Sequence, residues 1–233
     1  VSKPFWFQLY MMKDRDFIRR LIERAKAAGC SALVLTADLQ IMGQRHKDIR
    51  NGLSVPPKIT MSSLLNIAMH PAWCLKMLGS KRHSFGNVVG HASGVERLTT
   101  LAQWSAEQLD PTLTWDDVKW VKDLWQGPLI IKGIMCEEDA VLAAASGADA
   151  VVISNHGGRQ LDGAPATLDV LPGIAEAIAG KVEIWMDGGI RSGQDMFKAL
   201  ALGADATLIG RAYQYGLGAN GETGVTRCLE LLA

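Results

Sequence analysis

Short, nearly continuous apolar runs alternate with amphipathic segments along most of the chain. These runs predict six buried strands: Phe5–Tyr10, Ala32–Ala37, Leu129–Gly133, Ala150–Ser154, Val182–Asp187 and Thr207–Gly210. Between the strands, apolar residues recur at helical spacing, as in the segment from Phe17 to Ala25 that follows Asp14, a good N-cap residue. Apolar strands that alternate with such helices predict a parallel sheet covered by helices.

An internal repeat supports this interpretation. Residues 25–38, 143–154 and 199–210 each run from an alanine-rich helix through a glycine into a short apolar strand. The glycine stands where a helix ends in a left-handed conformation. About six βα units predict an α/β fold that is most of a (β/α)₈ barrel, or TIM barrel, since the complete fold takes about 250 residues. An open doubly wound sheet is the alternative, but no strand is followed by a GxGxxG turn.

Residues 40–112 contain no comparable strand, and we interpret them as an insertion with an active-site loop within a single barrel domain of residues 1–233. The net charge is zero, yet residues 40–84 carry seven bases and one acid, which leaves 17 bases and 23 acids elsewhere. Within residues 52–84, apolar side chains and Trp73 lie among lysines and arginines. This composition is typical of a segment at a membrane interface. A packed active-site lid or an oligomer contact is the alternative.

Other features limit the class of protein. No apolar run approaches the roughly 18 residues of a membrane-spanning helix, and no secretory signal opens the sequence. The four cysteines are scattered without a CxxC pair, which argues against a disulfide framework or a metal site and favours a reducing, cytoplasmic compartment. We expect no metal and no nucleic-acid partner.

Polar side chains follow most of the predicted strands. They are Gln8 and Tyr10, Thr36 and Asp38, Lys132, then Ser154, His156 and Arg159, then Asp187, and finally Gly210 and Arg211. In a barrel, the carboxyl ends of the strands converge on one face, where catalytic residues lie. Each residue alone has an ordinary structural explanation, but their combination predicts one active site.

A second motif, "MDGGIRSGQD" at 186–195, predicts an anion site. Gly188 and Gly189 leave backbone N–H groups uncovered, and Ser192 can cap the helix that follows. Arg211, after the next strand, adds a guanidinium. Barrels frequently bind phosphate in the loops after their last two strands. The spacing does not distinguish the phosphate of a substrate from that of a cofactor such as FMN.

These motifs together resemble one family. The segments "FWFQLY" (5–10), "LTADLQIMGQRHKD" (35–48), "IIKGI" (130–134), "SNHGGRQLDGAP" (154–165), "MDGGIRSGQDMFKALALGA" (186–204) and "IGRAYQYGLGA" (209–219) are similar to the FMN-dependent α-hydroxy acid dehydrogenases and oxidases. That family includes flavin-type L-lactate dehydrogenases, mandelate dehydrogenase and glycolate oxidase. The bacterial membrane-associated lactate dehydrogenases are the nearest, because "GQRHKDIRNGL" precedes a basic insertion in them as well.

The resemblance implies roles for individual residues. His156 would be the base that takes a proton from the 2-hydroxy acid, with Asp38 paired to it to make it a stronger base. Arg159 and Arg45 would hold the substrate carboxylate, and Tyr10 would hydrogen-bond the substrate. The residues implied to hold FMN are Lys132, at the N1–C2=O edge, with Gln8, Thr36, Ser154, Asp187, Gly188, Gly189, Arg191, Gly210 and Arg211.

The resemblance also implies oxidation of an L-2-hydroxy acid, L-lactate above all, with electrons passed to a quinone or another acceptor. A homotetramer and peripheral attachment to the cytoplasmic side of the inner membrane are implied as well. An oxidase that uses O₂, a mandelate dehydrogenase, a Schiff-base aldolase built on Lys132 and a non-catalytic barrel fragment are the alternatives. Family members begin two strands earlier and continue past Ala233, so we expect this chain to be a fragment with unpaired strand edges.

Overall fold

The computed structural model describes residues 3–39, 43, 45–52, 60–80, 85–88, 91, 104 and 107–233. The chain forms two compact units. The sheet unit comprises Val1–Met11, Ile22–Gln44 and Asp110–Ala233, and the helical unit comprises Met12–Leu21 and Arg45–Leu109. The predicted site at the strand ends belongs to the sheet unit, apart from Arg45.

The sheet has six parallel strands in sequential order. They are β1 (Trp6–Tyr10), β2 (Ala32–Thr36), β3 (Leu129–Ile134), β4 (Ala150–Ile153), β5 (Glu183–Met186) and β6 (Ala206–Thr207). Each strand pairs with the next one along the chain, all in parallel. A doubly wound sheet reverses its strand order at a switch point, whereas a barrel does not. The order therefore confirms the barrel arrangement over the alternative.

Helices follow the strands. Those described are α1 (Arg15–Ala27), α2 (His46–Arg50), α3 (Met61–Ala68), α4 (Pro71–Gly79), α5 (Trp115–Trp125), α6 (Glu137–Ala145), α7 (Thr167–Ile178), α8 (Gly193–Ala201) and α9 (Arg211–Leu232). The expected N-cap is present, since Asp14 Oδ1 accepts the Phe17 N–H at 2.9 Å. Within the described part of the chain, no helix combines the length and apolarity that crossing a bilayer requires.

The sheet is strongly curved. The rings of Trp6 on β1 and Trp185 on β5 stack with centroids 4.9 Å apart and an interplanar angle of 12°. In a flat sheet these strands, four steps apart, would be separated by about 19 Å, since neighbouring strands lie about 4.8 Å apart. Residues on the concave side form an apolar cluster with Trp185 that includes Ala32, Ile130 and Val152. This is the curvature that closes a barrel around a side-chain core.

The predicted glycine turns are also present. Gly29, Gly147 and Gly203 have φ values of +74°, +89° and +111° at the ends of α1, α6 and α8. These left-handed turns send each chain segment back into the next strand.

The last strand is shorter than predicted. We expected Thr207–Gly210, whereas β6 spans Ala206–Thr207. The Leu208 N–H still donates to the Met186 carbonyl at 2.9 Å, which extends the ladder by one bond. Beyond that point the backbone turns at Gly210 (φ −114°, ψ −89°) into α9. Leu208 packs against the apolar cluster of the sheet, which explains its apolar character beyond the end of the strand.

Candidate active site

One cavity of about 790 Å³ brings the predicted residues of several strand ends together. The site residues predicted from sequence that line it are Gln8, Tyr10, Lys132, His156, Arg159, Asp187, Gly188, Gly189, Arg191, Gly210 and Arg211. They lie in β1 and β3 or follow β4, β5 and β6. The parallel sheet explains this convergence, because all its carboxyl ends point to the same face.

His156 and Asp38 form a hydrogen-bonded pair across the site. Asp38 Oδ1 lies 2.9 Å from His156 Nδ1, and the two side chains are 11% and 20% exposed. An ionised carboxylate can only accept a hydrogen bond, so Nδ1 carries the hydrogen in this contact. In the neutral imidazole, Nε2 then keeps its lone pair. The pair thus presents a proton acceptor at Nε2 with a fixed tautomer.

Lys132 lies between two carboxylates. Its Nζ is 3.2 Å from Asp187 Oδ2 and 3.5 Å from Asp38 Oδ2, and it donates to Ser154 Oγ at 2.7 Å. The Lys132 side chain is 14% exposed. Asp38 therefore contacts both His156 and Lys132, and a continuous polar network runs from Asp187 to the imidazole.

Two residues predicted to bind the cofactor do not line the cavity but form hydrogen bonds with residues that do. Thr36 is 3% exposed, and its Oγ1 accepts from Gln8 Nε2 at 2.8 Å. Ser154 is fully buried, and besides accepting from Lys132 it accepts the His156 N–H at 3.1 Å. Both hydroxyls orient side chains that line the cavity.

The anion end of the cavity combines backbone and guanidinium groups. Gly188 and Gly189 have φ values of +86° and +77°, and a Cβ at Gly189 would meet no atom within 4 Å, so its backbone is open to a ligand. Arg191 and Arg211 line the same cavity. These are the elements of a phosphate-binding loop.

The start of α8 contributes fewer donors than we expected. Ser192 and Asp195 form a capping box, and Asp195 Oδ2 accepts the N–H groups of Arg191 and Ser192, both at 3.0 Å. The hydrogen bond from the Arg191 N–H, followed by that from the Ser192 hydroxyl, lowers the pKa of Asp195. Those backbone donors serve the cap, so Gly188, Gly189 and the guanidinium groups remain the candidates for anion binding.

Arg45 lies in the helical unit, directly before α2, and is its N-cap residue. Its predicted contact with the substrate carboxylate stays a prediction. Of the motif around it, residues 40–42 and 44 lie outside the described residues.

Several cavity residues were not predicted from the sequence. They are Gly157, Ile190, Leu208, Ala212, Gln214, Tyr215 and Cys228. Gln214 and Tyr215 follow Arg211 by three and four positions on α9, and residues at this spacing share a helix face. Helical periodicity after Arg211 was therefore a usable signal. Ile190 and Leu208 resemble core residues in sequence and carried no such signal.

Comparison with known proteins identifies the family. The pattern described as FMN-dependent dehydrogenase matches residues 1–233. L-lactate dehydrogenase of Vibrio parahaemolyticus is 44% identical over 232 residues, which cover 99% of this chain and 61% of that protein. L-lactate dehydrogenase of Serratia proteamaculans is 45% identical over 233 residues, with 100% and 61% covered. The chain thus spans about three fifths of the length of these curated relatives.

Solved structures agree with this. A monotopic membrane protein, (S)-mandelate dehydrogenase, matches with a TM-score of 0.89 and 38% identity, over 97% of this chain and 60% of that one. A mandelate oxidase matches with a TM-score of 0.75 and 38% identity, over 97% and 56%. With its barrel topology and its cavity at the strand ends, the chain belongs to the FMN-dependent dehydrogenase family.

Proposed function

We propose that the protein containing this chain oxidises an L-2-hydroxy acid, L-lactate first, to the 2-oxo acid with FMN as cofactor. The observation that carries the proposal is the Asp38–His156 pair at 2.9 Å, whose His156 lines the same cavity as Lys132, Tyr10 and Arg159. The L-lactate dehydrogenases at 44–45% identity support L-lactate as the substrate.

The residues present fit FMN. A flavin nucleotide joins an apolar ring system to a polyol and a phosphate, and the cavity offers a matching series of groups. Ile190 and Leu208 are apolar, Gln8 and Asp187 can hydrogen-bond, and the two arginines stand at the glycine turn. A volume of about 790 Å³ lies within the range of roughly 300–1,000 Å³ for ligand cavities. When bound, FMN supplies the acceptor for the two electrons that leave the substrate.

His156 is the proton acceptor in this proposal. When the substrate C–OH becomes C=O, the hydroxyl proton goes to Nε2 of His156, and the hydrogen on the α-carbon would leave with the electron pair, as a hydride equivalent for which the bound cofactor is the acceptor. Asp38, hydrogen-bonded at Nδ1, stabilises the imidazolium that forms. A carboxylate partner in a partly buried site also keeps the ring oriented.

Arg159 and Tyr10 bind and orient the acid. A guanidinium matches the planar geometry of a carboxylate and binds it in a bidentate manner. Tyr10, at the end of β1, donates a hydrogen bond to the substrate oxygen that becomes the carbonyl. We infer that Arg45 adds a second guanidinium. These contacts place the hydroxyl toward His156, which is the positioning that the reaction needs.

Lys132 would help to hold the cofactor, and its positive charge would stabilise the negative charge that the flavin gains when it accepts electrons. Its Nζ lies 3.2 Å from Asp187 Oδ2 and 3.5 Å from Asp38 Oδ2, so two carboxylates engage the amine that would have to attack a substrate carbonyl. A Schiff-base aldolase would need a neutral amine at this position. The geometry thus favours the flavin reaction over the aldolase.

Anaerobic flavin reduction tests the proposal. The FMN-loaded protein is mixed with L-lactate, D-lactate, L-mandelate or glycolate, and the visible flavin absorbance is followed. We expect L-lactate to bleach it fastest and D-lactate to leave it unchanged. No bleaching by any of the L-acids or glycolate would contradict the function, and bleaching by L-mandelate alone would reassign the substrate. Reoxidation by a quinone or by O₂ then identifies the acceptor.

We further infer peripheral membrane attachment through α3 and α4 of the helical unit. Neither helix has a buried residue, and their exposed apolar side chains include Leu65 (62%), Leu75 (71%) and Leu78 (82%). Residues 60–80 contain Lys76 and no acid. Exposed apolar side chains of this kind suit the headgroup boundary. Residues 53–59 and 81–84 of the segment predicted to contact the membrane lie outside the described residues.

The relative described as a monotopic membrane protein supports this inference, and a quinone dissolved in the bilayer would then be the acceptor. The cytoplasmic leaflet is the favoured side, because Cys30, Cys74, Cys136 and Cys228 are free thiols.

Vesicle sedimentation tests the attachment. We expect Leu65→Glu with Leu78→Glu to abolish sedimentation with anionic vesicles, because two charges must then be desolvated at the interface. Leu231→Glu is the matched control, since Leu231 on α9 is 66% exposed but lies in the sheet unit. Equal sedimentation of the double variant and the control would contradict the inference.

We also infer a homo-oligomer, a tetramer by family resemblance. Phe197 on α8 is 73% exposed and Leu200 is 47% exposed, as is common for side chains that pack between subunits. Light scattering during size-exclusion chromatography measures the mass directly, and a monomer would contradict this inference.

A further inference from the structure

The turn that carries His156 has a strained backbone. His156, Gly157 and Gly158 have consecutive φ values of +56°, +67° and +68°. The left-handed region is unfavourable for a residue with a Cβ by roughly 1–2 kcal/mol. Such a conformation persists only when its surroundings hold it in place. The contacts of this turn therefore determine where the imidazole stands.

Two of these contacts are local. The His156 N–H donates to Ser154 Oγ at 3.1 Å, and the Gly158 N–H donates to Asn155 Oδ1 at 3.2 Å. A third contact comes from a distant part of the chain. Arg211, the first residue of α9, donates from Nη2 to the Gly157 carbonyl at 2.8 Å. The turn is thus tied to the loop between β6 and α9.

The two glycines of the turn differ in what surrounds them. A Cβ on Gly157 would lie 2.6 Å from Arg211 Nη2, closer than real Cβ contacts come. A Cβ on Gly158 would meet nothing within 4 Å. Gly157 is therefore required both for its positive φ and for the approach of the guanidinium, whereas Gly158 is required for its φ alone.

We propose that Arg211 is a positioning residue that couples the phosphate site to His156. Arg211 lines the same cavity as Arg191, Gly188 and Gly189, the residues predicted to bind the phosphate. A guanidinium has five N–H donors in a rigid fork, so one can hold the Gly157 carbonyl while others bind an anion. Binding of a phosphate group then fixes the turn that carries His156. The proposal rests on the proposed function and adds to it a link between cofactor binding and the orientation of the base.

NMR of the FMN-free protein, with inorganic phosphate as the probe, tests the coupling. The ring ¹⁵N resonances of His156 are identified by their absence in His156→Asn, and phosphate binding is followed separately at the Gly189 amide. In the wild-type protein, phosphate shifts both signals. A shift at Gly189 with no change at His156 would overturn the proposal, and so would no shift at either position.

The two glycine variants separate the contact from backbone strain. Gly157→Ala and Gly158→Ala introduce the same φ penalty, but only the first displaces Arg211. We expect phosphate to shift the His156 resonances in Gly158→Ala and to leave them unmoved in Gly157→Ala, while Gly189 responds in both. Equal His156 responses in the two variants would overturn the proposal.

A third variant covers the case in which Gly157→Ala does not fold. Arg211→Lys keeps the positive charge but lacks the fork that reaches the carbonyl and an anion together. We expect phosphate to shift Gly189 but not His156 in this variant. A His156 shift equal to that of the wild-type protein would overturn the proposal.

Thermal unfolding of the FMN-free protein adds a measure independent of phosphate. Gly157→Ala should lower Tm more than Gly158→Ala, and the excess should vanish when Arg211→Ala is present as well. If Gly157→Ala still lowers Tm more than Gly158→Ala in proteins that also carry Arg211→Ala, the extra loss does not come from the contact between Arg211 and Gly157. If the wild-type protein bleaches with L-lactate but shows no coupling, the inference fails alone; if it neither binds FMN nor bleaches, the proposed function fails.

Discussion

Lys132 is the residue on which the charges of the site converge. Its ammonium contacts Asp38 and Asp187, at 3.5 and 3.2 Å, and the hydroxyl of Ser154. The side chain is 14% exposed, so water screens these interactions only in part. The two carboxylates therefore reduce the positive potential that Lys132 offers to a bound flavin.

The first prediction concerns the balance between the positive charge of Lys132 and the negative charges of the two carboxylates beside it. Asp187→Asn removes one negative charge beside Lys132, which favours the anionic reduced cofactor. We expect the midpoint potential of the bound FMN to rise by about 30 mV, which corresponds to about 1.4 kcal/mol for a two-electron couple. Spectroelectrochemical titration measures it. Asp187→Glu keeps the charge and should stay near the wild-type value; a lowered potential in Asp187→Asn would contradict the prediction.

At the scale of single residues, the sequence predicted which side chains lie near one another but not which hydrogen bonds they form. Gln8, Lys132, His156 and Asp187 were identifiable because they lie near the carboxyl ends of predicted strands or directly after them, and parallel strands bring those ends together. The contact between Arg211 and Gly157 depends on the path of two loops, which periodicity does not encode. The hydrogen bond from Gln8 to Thr36 was not predictable either, because periodicity does not show that Thr36 contacts Gln8 rather than the cavity itself.

At the scale of elements, an aspartate joins neighbouring strands twice in the repeat. The N–H of Asp149 donates to the Leu129 carbonyl, and its Oδ2 accepts the Leu129 N–H at 2.8 Å. Asp205 does the same with Ile184, where the side-chain bond is also 2.8 Å. In both copies, the aspartate of the sequence Gly-Ala-Asp thus forms two hydrogen bonds with one residue of the preceding strand. In the first copy Ser31 takes this place, and its N–H donates to the Phe5 carbonyl.

The second prediction is that Asp149→Ala lowers the free energy of unfolding at pH 7 by about 1–3 kcal/mol. Leu129 is fully buried, and its N–H loses the partner that satisfies it. The ion pair with Lys122 adds little, because the Asp149 side chain is 53% exposed. Urea denaturation measures the loss. Asp123→Ala, an exposed change on α5, should stay within about 0.5 kcal/mol.

The same variant has a predicted pH dependence. Burial of the Asp149 carboxyl opposes its ionisation, but the hydrogen bonds from Lys122 and the Leu129 N–H outweigh burial and lower its pKa from the ordinary 3.8. Its stabilisation is therefore complete above that ordinary value and is lost as the pH falls through the lower, folded-state pKa. The difference between the wild-type protein and Asp149→Ala should shrink below pH 3.8. A difference that grows on acidification would contradict this assignment.

All six strands were predictable because a parallel sheet buries both faces of a strand and leaves a continuous apolar run. The end of β6 departs most from the predicted bounds, by three residues, whereas the other strand ends differ by at most one residue. The helices α3 and α4 could not be assigned a partner from their sequence. Exposed apolar side chains there have the same composition whether they face lipid or protein.

At the scale of the whole molecule, FMN should stabilise the fold, because the cavity proposed to hold it is lined by residues from five of the six strands of the sheet unit or from the loops that follow them. A ligand that binds only the folded state at 100 times its Kd adds about 2.7 kcal/mol to the free energy of unfolding. The third prediction is that saturating FMN raises Tm accordingly, as calorimetry can measure. Riboflavin lacks the phosphate and should stabilise much less; equal stabilisation would contradict the anion site.

The most direct test of the central claim compares the wild-type protein with His156→Ala. Both are loaded with FMN, which should bind to both because no predicted flavin contact is removed, and both are mixed anaerobically with L-lactate in a stopped-flow spectrophotometer. The account predicts that the wild-type flavin is bleached and that bleaching in His156→Ala is slowed by a factor of at least about 10², the usual contribution of a general base. Equal rates of bleaching in the two proteins would contradict it.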